Sequence, residues 1–272
     1  MTSVVAYRFD VSPHSREGRT ELRRLLRRAV RGDADAFVLL AAPYCDLITE
    51  FVALCGIDDE EPLRAKTREV HHEIWKYLPF MHRVSDFERL LATTLFSVRP
   101  RESSTVGEAC PGELQNLDPR EKFALLARDF EGWDYGWTAT ALRVSRRELG
   151  EILVSVRCRL LGIDLDALDK ESASCIRKLS LDLDGRNVAR ETQKICRNLA
   201  RLPKAKAFKS EWLNLRCELI ELRQQIRLPE ETKQTILEAL VPELRSEAMI
   251  RVPLLERFTS RLSFRQSSVT AL

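Results

Sequence analysis

Apolar residues recur at intervals of three and four through most of the chain, and prolines, glycines and capping side chains punctuate them. This spacing predicts helices and no strands. From 16 to 30, Leu22, Leu25, Leu26, Ala29 and Val30 share one face, while Arg23, Arg24, Arg27 and Arg28 fall mostly on the other. Gly32 breaks this segment, and Asp33 is placed to cap a second helix over 33–55 that carries Phe37, Leu40, Tyr44, Leu47, Ile48 and Phe51. An acidic turn, Asp58–Glu61, precedes a third helix over 63–77, with Val70, Ile74 and Tyr77 apolar. A loop through Asp86 then leads to a fourth helix, 87–98. Residues 99–115 hold two prolines, two glycines and two serines and read as a linker.

Beyond the linker, Asp118-Pro119-Arg120-Glu121 has the cap, the first-turn proline and the third-position acid of a helix start. That helix is expected to reach Phe130, with Gly132 ending it. A short helix over 134–142 and a turn at Arg143-Val144 follow. Ser145-Arg146-Arg147-Glu148 is a second capping box, opening a helix through Leu161 that Gly162 stops. Further helices are expected over 170–180, 184–201, 206–227, 230–248 and 253–262, with Pro229 and Pro253 as breaks. The tail after Arg265 is expected to be disordered.

Composition agrees with the pattern. The 272 residues are 44% hydrophobic and 31% charged, with only 10 Gly and 11 Pro. Enough apolar material is present for real cores, and the low glycine count argues against sandwiches, barrels and glycine-rich nucleotide folds. The expected architecture is all-α, in three units: a four-helix module at 16–98, a helix-turn-helix module at 116–162 and a helical C-terminal extension at 170–262.

The net charge of +3 is unevenly spread. Residues 1–169 hold 24 basic and 28 acidic side chains, and residues 170–272 hold 20 and 13. The whole excess lies in 170–210, with 11 basic against 4 acidic. Such a stretch can meet phosphate or an acidic protein surface, or can be a solvated helix face.

The seven cysteines, odd in number and scattered, fit buried reduced thiols. The N-terminus lacks the apolar core of a signal peptide, and no uninterrupted apolar run approaches the roughly 18 residues of a spanning helix. A cytoplasmic protein without membrane contact is expected. Adjacent His71 and His72 point apart on a helix and cannot chelate one metal, and no cysteine joins them at zinc spacing. No nucleophile elbow, phosphate-binding loop or dinucleotide fingerprint occurs, and no histidine lies beyond His82. Neither enzyme activity, a metal nor a cofactor is expected.

Residues 117–161 have the helix-turn-helix layout, in which the last helix can lie in a DNA major groove. Arg143, Arg146 and Arg147 stand at its start, beside Ser145. Cations there reach phosphates or guanine edges; an ordinary three-helix unit with a polar surface has the same pattern.

The ordered set Gly32-Asp33-Ala34-Asp35-Ala36-Phe37, Leu40, Tyr44, Glu69-Val70, Ile74-Trp75 and Phe87, then Leu117-Asp118-Pro119-Arg120-Glu121, Leu125, Glu131-Gly132, Ala141-Leu142, Val144-Ser145 and Arg159-Leu160, resembles bacterial RNA polymerase sigma factors of the extracytoplasmic-function type. The resemblance covers about 18–162 and implies two partners, core RNA polymerase and promoter DNA, with an anti-sigma or other regulatory protein as a further one. It implies that the first module docks on polymerase, here through Arg68, Glu69, His72, Glu73 and Trp75. It also implies that the loop 78–86 captures an unstacked base, with Phe80, Met81, His82 and Arg83 as the side chains. The second module would read the upstream promoter element through Arg143, Ser145, Arg146, Arg147 and Glu151.

The chain departs from the family pattern in places. Arg64-Ala65-Lys66-Thr67-Arg68 stands where acidic and Gln residues are usual, Leu90 and 92–97 lack the usual Trp and cations, and Gly150-Glu151-Ile152 replaces a basic recognition segment. Two other readings therefore stand beside initiation: a helical interaction protein on a sigma-like scaffold, and a helix-turn-helix repressor. The extension resembles no family; it either packs on the rest, adds DNA backbone contacts, or covers the acidic part and holds it inactive.

Overall fold

The computed structural model describes residues 12–99, 112–186, 189–199 and 201–266, and the structural statements below concern these. Every regular element among them is helical, as expected. In chain order they are α1 (Arg16–Ala29), α2 (Ala34–Ala41), α3 (Cys45–Ala53), α4 (Glu60–Tyr77), α5 (Val84–Phe96), α6 (Gly112–Gln115), α7 (Pro119–Leu125), α8 (Tyr135–Leu142), α9 (Arg146–Leu160), α10 (Lys170–Leu183), α11 (Ala189–Leu199), α12 (Pro203–Ile226) and α13 (Glu230–Gln266).

Several boundaries differ from the expected ones, each for a local reason. The helix expected over 33–55 is two, because Pro43 falls in a 3-10 turn, Ala42–Tyr44, between α2 and α3. α4 opens earlier than 63, so Glu60 and Glu61 lie in its first turn, where the helix dipole favours acids. α5 opens at Val84, not Phe87. The Asp86 carboxylate accepts from the Arg83 and His82 N–H groups at 3.0 and 3.3 Å, satisfying donors at that helix start. The helix expected over 119–130 becomes a π turn at Leu126–Phe130, where the Glu131 N–H reaches back to the Leu126 carbonyl at 2.9 Å. Pro253 does not break α13, which is continuous to Gln266, although an interior proline removes one backbone hydrogen bond and crowds the preceding turn. Most of the expected linker lies outside the described residues, and its last residues form α6. Of the expected disordered tail, residues 267–272 lie outside the described residues.

Packing divides the chain into two units built from non-consecutive stretches, whereas the sequence reading drew its boundaries along the chain. The first unit comprises Met1–Cys45, Thr67–Phe87 and Pro229–Leu272. Here Leu22, Leu25, Leu26 and Ala29 of α1 are buried, together with Phe37, Val38 and Leu40 of α2 and Ile236, Leu237, Leu240 and Leu244 of α13. Each fully buried Leu or Phe contributes roughly 1.5–3 kcal/mol of transfer free energy. Asp33 caps α2 by accepting from the Ala36 N–H at 2.9 Å, and Arg28 pairs with the same carboxylate at 2.7 Å. Trp75 packs edge-on against Phe37, with ring centroids 5.2 Å apart.

The stretch Ala34–Ala53 alone among the described residues is long and apolar enough, by length and composition, to cross a membrane. It is interrupted by Asp35, Asp46 and Glu50, and 78% of its most apolar window is buried inside the protein.

The second unit comprises Asp46–Lys66 and Glu88–Leu228. Phe123 of α7 is its aromatic hub, meeting Phe96 at 6.0 Å and Trp133 at 5.6 Å, both edge to face. Beside it, Val154 and Cys158 of α9, Cys175, Ile176 and Leu179 of α10, Ile195 of α11 and Phe208 of α12 form one buried cluster. Four described cysteines, 45, 55, 158 and 175, are buried free thiols as expected, and Cys217 is exposed.

A charged network lies inside this apolar unit. Arg157, with no exposed surface, is bound to Asp129 and Asp184, each at 2.7 Å, and to the Ser180 hydroxyl and carbonyl at 2.7 and 2.9 Å. Burial works against its charge, but the two carboxylates outweigh it and raise its pKa further above the ordinary arginine range. Its guanidinium also lies 5.5 Å from the Trp212 ring centre. Removing one partner of a buried pair leaves an uncompensated charge. Arg157→Met is therefore expected to lower stability by about 3–5 kcal/mol. A urea denaturation midpoint checks this; an unchanged midpoint would show that the network contributes nothing to the fold.

Candidate nucleic-acid interface

α8 and α9 meet at a tight, fully hydrogen-bonded corner. Asp134 caps α8, its carboxylate accepting from the Gly136 N–H at 2.7 Å and the Trp137 N–H at 3.3 Å. The helix ends on Arg143 in the left-handed region, φ 57°, the one described non-glycine residue with positive φ. That backbone lets the Val144 N–H reach the Ala139 carbonyl at 3.0 Å and turns the chain into α9. Ser145 then caps α9: its hydroxyl accepts from the Glu148 N–H at 3.1 Å, and the Glu148 carboxylate accepts from the Ser145 N–H at 2.6 Å. This bond holds the Glu148 carboxyl below its usual range. The predicted capping boxes at Ser145 and Asp118 are both formed.

Leu149, Leu153, Val154, Val156, Arg157 and Cys158 turn inward from α9. Gly150 has a packing reason: a Cβ there would lie 2.8 Å from the Tyr135 hydroxyl. Gly136 leaves room for Arg146, whose Nη2 would lie 2.7 Å from a Cβ at that position. Arg143, Ser145, Arg146 and Arg147 are all exposed, and none of the arginines has an ion pair among the described residues. Glu151 is exposed too, with Arg177 of α10 at 3.5 Å, so its charge is partly offset.

A groove of about 610 Å³ runs beside the far part of α9, lined by Glu151, Cys158, Arg159, Asp164, Asp166 and Arg177. Its charges are mixed, and Arg159 is paired with Glu121. Burial pushes the Cys158 thiol up to about 11, which leaves it protonated and weakly nucleophilic near neutral pH.

The residues expected at the base-capture loop belong to the first unit. Leu78–Phe80 is a 3-10 turn with Leu78 buried, Phe80 69% exposed and Met81 half-buried, while His82 and Arg83 are exposed. Tyr77, 49% exposed, stands one turn before Phe80 and was not singled out from the sequence. Nothing in its helical spacing separates it from a core residue, because Val70 and Ile74 on the same helix are buried.

The α4 residues expected to meet polymerase fare differently. Arg68 and Glu69 are exposed. Arg68 lies 3.9 Å from Glu243, and the His72 ring lies 2.6 Å from Glu247, both on α13; Glu73 pairs with Lys76 at 2.8 Å. Trp75 is corrected: only 2% exposed and packed on Phe37, it is a core residue and presents no surface to a partner.

His71, beside them, is fully buried. Its Nδ1–H donates to the Thr67 carbonyl at 2.8 Å, and its Nε2 has no partner among the described residues. Burial lowers its pKa to about 4, with the Thr67 bond opposing. A neutral folded imidazole and a chargeable unfolded one mean that the unfolded state binds more protons between about pH 6.5 and 4. Stability should fall as pH drops through that window, by on the order of 3 kcal/mol in all. A His71→Leu variant should lose this part of the acid sensitivity; an identical pH profile of the denaturation midpoint would contradict the assignment.

Neither a family model, nor a curated protein, nor a solved structure matches the chain.

A non-glycine residue in the left-handed region costs roughly 1–2 kcal/mol, so Arg143→Gly should hold or raise the thermal midpoint. A lowered midpoint in a thermal melt would show that the Arg143 side chain is needed to form the corner.

Proposed function

We propose that the protein is a sigma-factor-like initiation protein that binds core RNA polymerase and directs it to promoter DNA. The observation that carries this reading is the α8–α9 corner: a capped helix start whose three arginines are exposed and have no ion pair among the described residues. Arginine in such a position serves a duplex in two ways. It neutralises phosphate, and it can bond guanine O6 and N7 with both arms of its fork. Arg143, Ser145, Arg146 and Arg147 are the assigned DNA contacts, with Glu151 facing a cytosine amino group. Phe80, with Met81, His82 and Arg83, would hold a base out of the stack, and Tyr77 adds a second exposed ring. Stacking on an aromatic ring is worth about 1–3 kcal/mol per base.

The mechanism involves recognition and strand opening, with no bond chemistry. α4 would supply the polymerase contacts through Arg68, Glu69, His72 and Glu73.

A second reading, a sigma-like scaffold that regulates by binding and does not initiate, is favoured by one observation. Glu243 and Glu247 of α13 already engage Arg68 and His72. The two readings separate in a co-purification of the full chain with core polymerase, followed by run-off transcription from a pool of promoter fragments. Initiation predicts a stable complex and discrete transcripts. A double variant, Arg146→Ala with Arg147→Ala, should keep the complex and lose the transcripts, each arginine accounting for about 1–3 kcal/mol of base discrimination. Absence of a complex and of transcripts with the unaltered protein would end the initiation reading.

A further inference from the structure

We propose that α11 is a second DNA contact, one that grips the phosphate backbone of a duplex without reading its sequence. Arg190, Lys194 and Arg197 stand at i, i+4 and i+7 on this helix, and Arg201 follows it in the chain. At 1.5 Å of rise per residue the three helical positions form one stripe about 10 Å long. A single strand of duplex DNA carries one charge per roughly 3.4 Å of axis, so the stripe spans about three phosphates.

All four cations are exposed, and none has an ion pair among the described residues. This sets them apart from other arginines of the same unit. Arg157, Arg159, Arg177, Arg223 and Arg227 are all paired with carboxylates. The orientation of α11 is fixed from two sides. Ile195, 3% exposed, sits in the cluster with Val154 and Cys158 of α9 and Ile176 of α10. The Thr192 hydroxyl donates to the Asp182 carboxylate at 2.6 Å, which ties α11 to α10 and occupies a nearby acidic oxygen. With those contacts made, the cationic side faces solvent. Lys204 and Lys206, exposed in the first turn of α12, extend the basic surface.

The chemistry of the stripe selects its partner. A membrane-surface helix needs its apolar side free for lipid, and here Ile195 is in the core. A protein interface is centred on buried aromatic or aliphatic anchors. Among the described residues the exposed large hydrophobic side chains are Tyr77, Phe80, Leu213 and Ile220, none of them on α11. A line of cations with no ion pair and no exposed apolar side chain among the described residues fits a polyanion, where affinity comes from counterion release. α11 and the recognition helix α9 share one core, so a duplex held by α11 would meet the same unit that carries the α9 corner.

The test uses the full-length protein and a fluorescent duplex of random sequence, with anisotropy read between 50 and 300 mM salt, roughly the range over which such contacts dominate. The variant Arg190→Gln, Lys194→Gln, Arg197→Gln alters only solvent-facing side chains, and circular dichroism verifies its helix content. The slope of log K against log salt should fall by about 2.7, and affinity near 0.1 M salt should drop on the order of a hundredfold. The charge-keeping variant Arg190→Lys, Arg197→Lys should retain the slope. An Arg146→Ala, Arg147→Ala variant should keep the α11 share of the slope, so loss of the α9 reading does not remove this one. Equal slopes for the Gln variant and the unaltered protein would overturn the proposal. So would capture of polyglutamate in place of duplex, which would make the stripe a dock for an acidic protein.

Discussion

One guanidinium decides how the second unit is put together. Arg157 projects inward from α9 and binds Asp129 in the π turn, Ser180 on α10 and Asp184 just after it. The π turn and the end of α10 are thus tied to α9 through a single planar group with a fixed fork of donors. The arrangement sets the rotation of α9 about its own axis. With Arg157 inside, Leu149, Leu153 and Val156 are inside as well; Arg146 and Arg147 are exposed because they stand in the first turn of α9, ahead of this buried stretch. An apolar side chain at 157 would bury as much surface but would leave two carboxylates stranded, and a lysine would lack the second arm. Arg128 reinforces the same centre, donating to the carbonyls of Trp133 and Asp184 at 2.7 Å each.

Charge in this unit is consequently sorted by position. Inward-facing arginines serve as tethers: Arg223 binds Glu50 at 2.5 Å and donates to the Phe130 carbonyl at 3.0 Å. Lys122, 3% exposed, donates to the Leu54 carbonyl at 3.0 Å. Outward-facing ones at the α9 start and along α11 have no such duty. The net charge of +3 conceals this, because paired and unpaired cations count alike. In the first unit the sorting takes another form. α13 brings acids to the cationic side of α4 and Arg245 to Asp35 of α2 at 2.7 Å, so its polar faces are matched internally.

Much of the local structure was legible in the order of residues. Asp118 with Glu121, Asp134, and Ser145 with Glu148 form caps because a cap depends on side chains within three positions of each other. The helical class was legible from spacing for the same reason. What sequence could not give was set by distant partners. The π turn at Leu126–Phe130 places Asp129, whose acceptor role exists only once Arg157 and α10 arrive. The sigma-factor resemblance implied a partner-facing role for Trp75, but Phe37 from another helix covers it. α13 runs through Pro253, where the residue pattern, reading proline as a helix breaker, placed an end. At the α9 corner, Arg143, Arg146 and Arg147 could be listed from sequence as cations near a turn. That none of them has an ion pair among the described residues emerged only with the fold.

The function proposed depends on the start of α9 meeting DNA. Photocrosslinking measures this directly: p-benzoylphenylalanine is placed at 147, and separately at the exposed position 218 on α12, in full-length protein mixed with core polymerase and labelled promoter fragments. The account predicts a DNA adduct from position 147 and none from 218. An adduct from 147 to protein alone, or equal labelling of DNA from both positions, would contradict it.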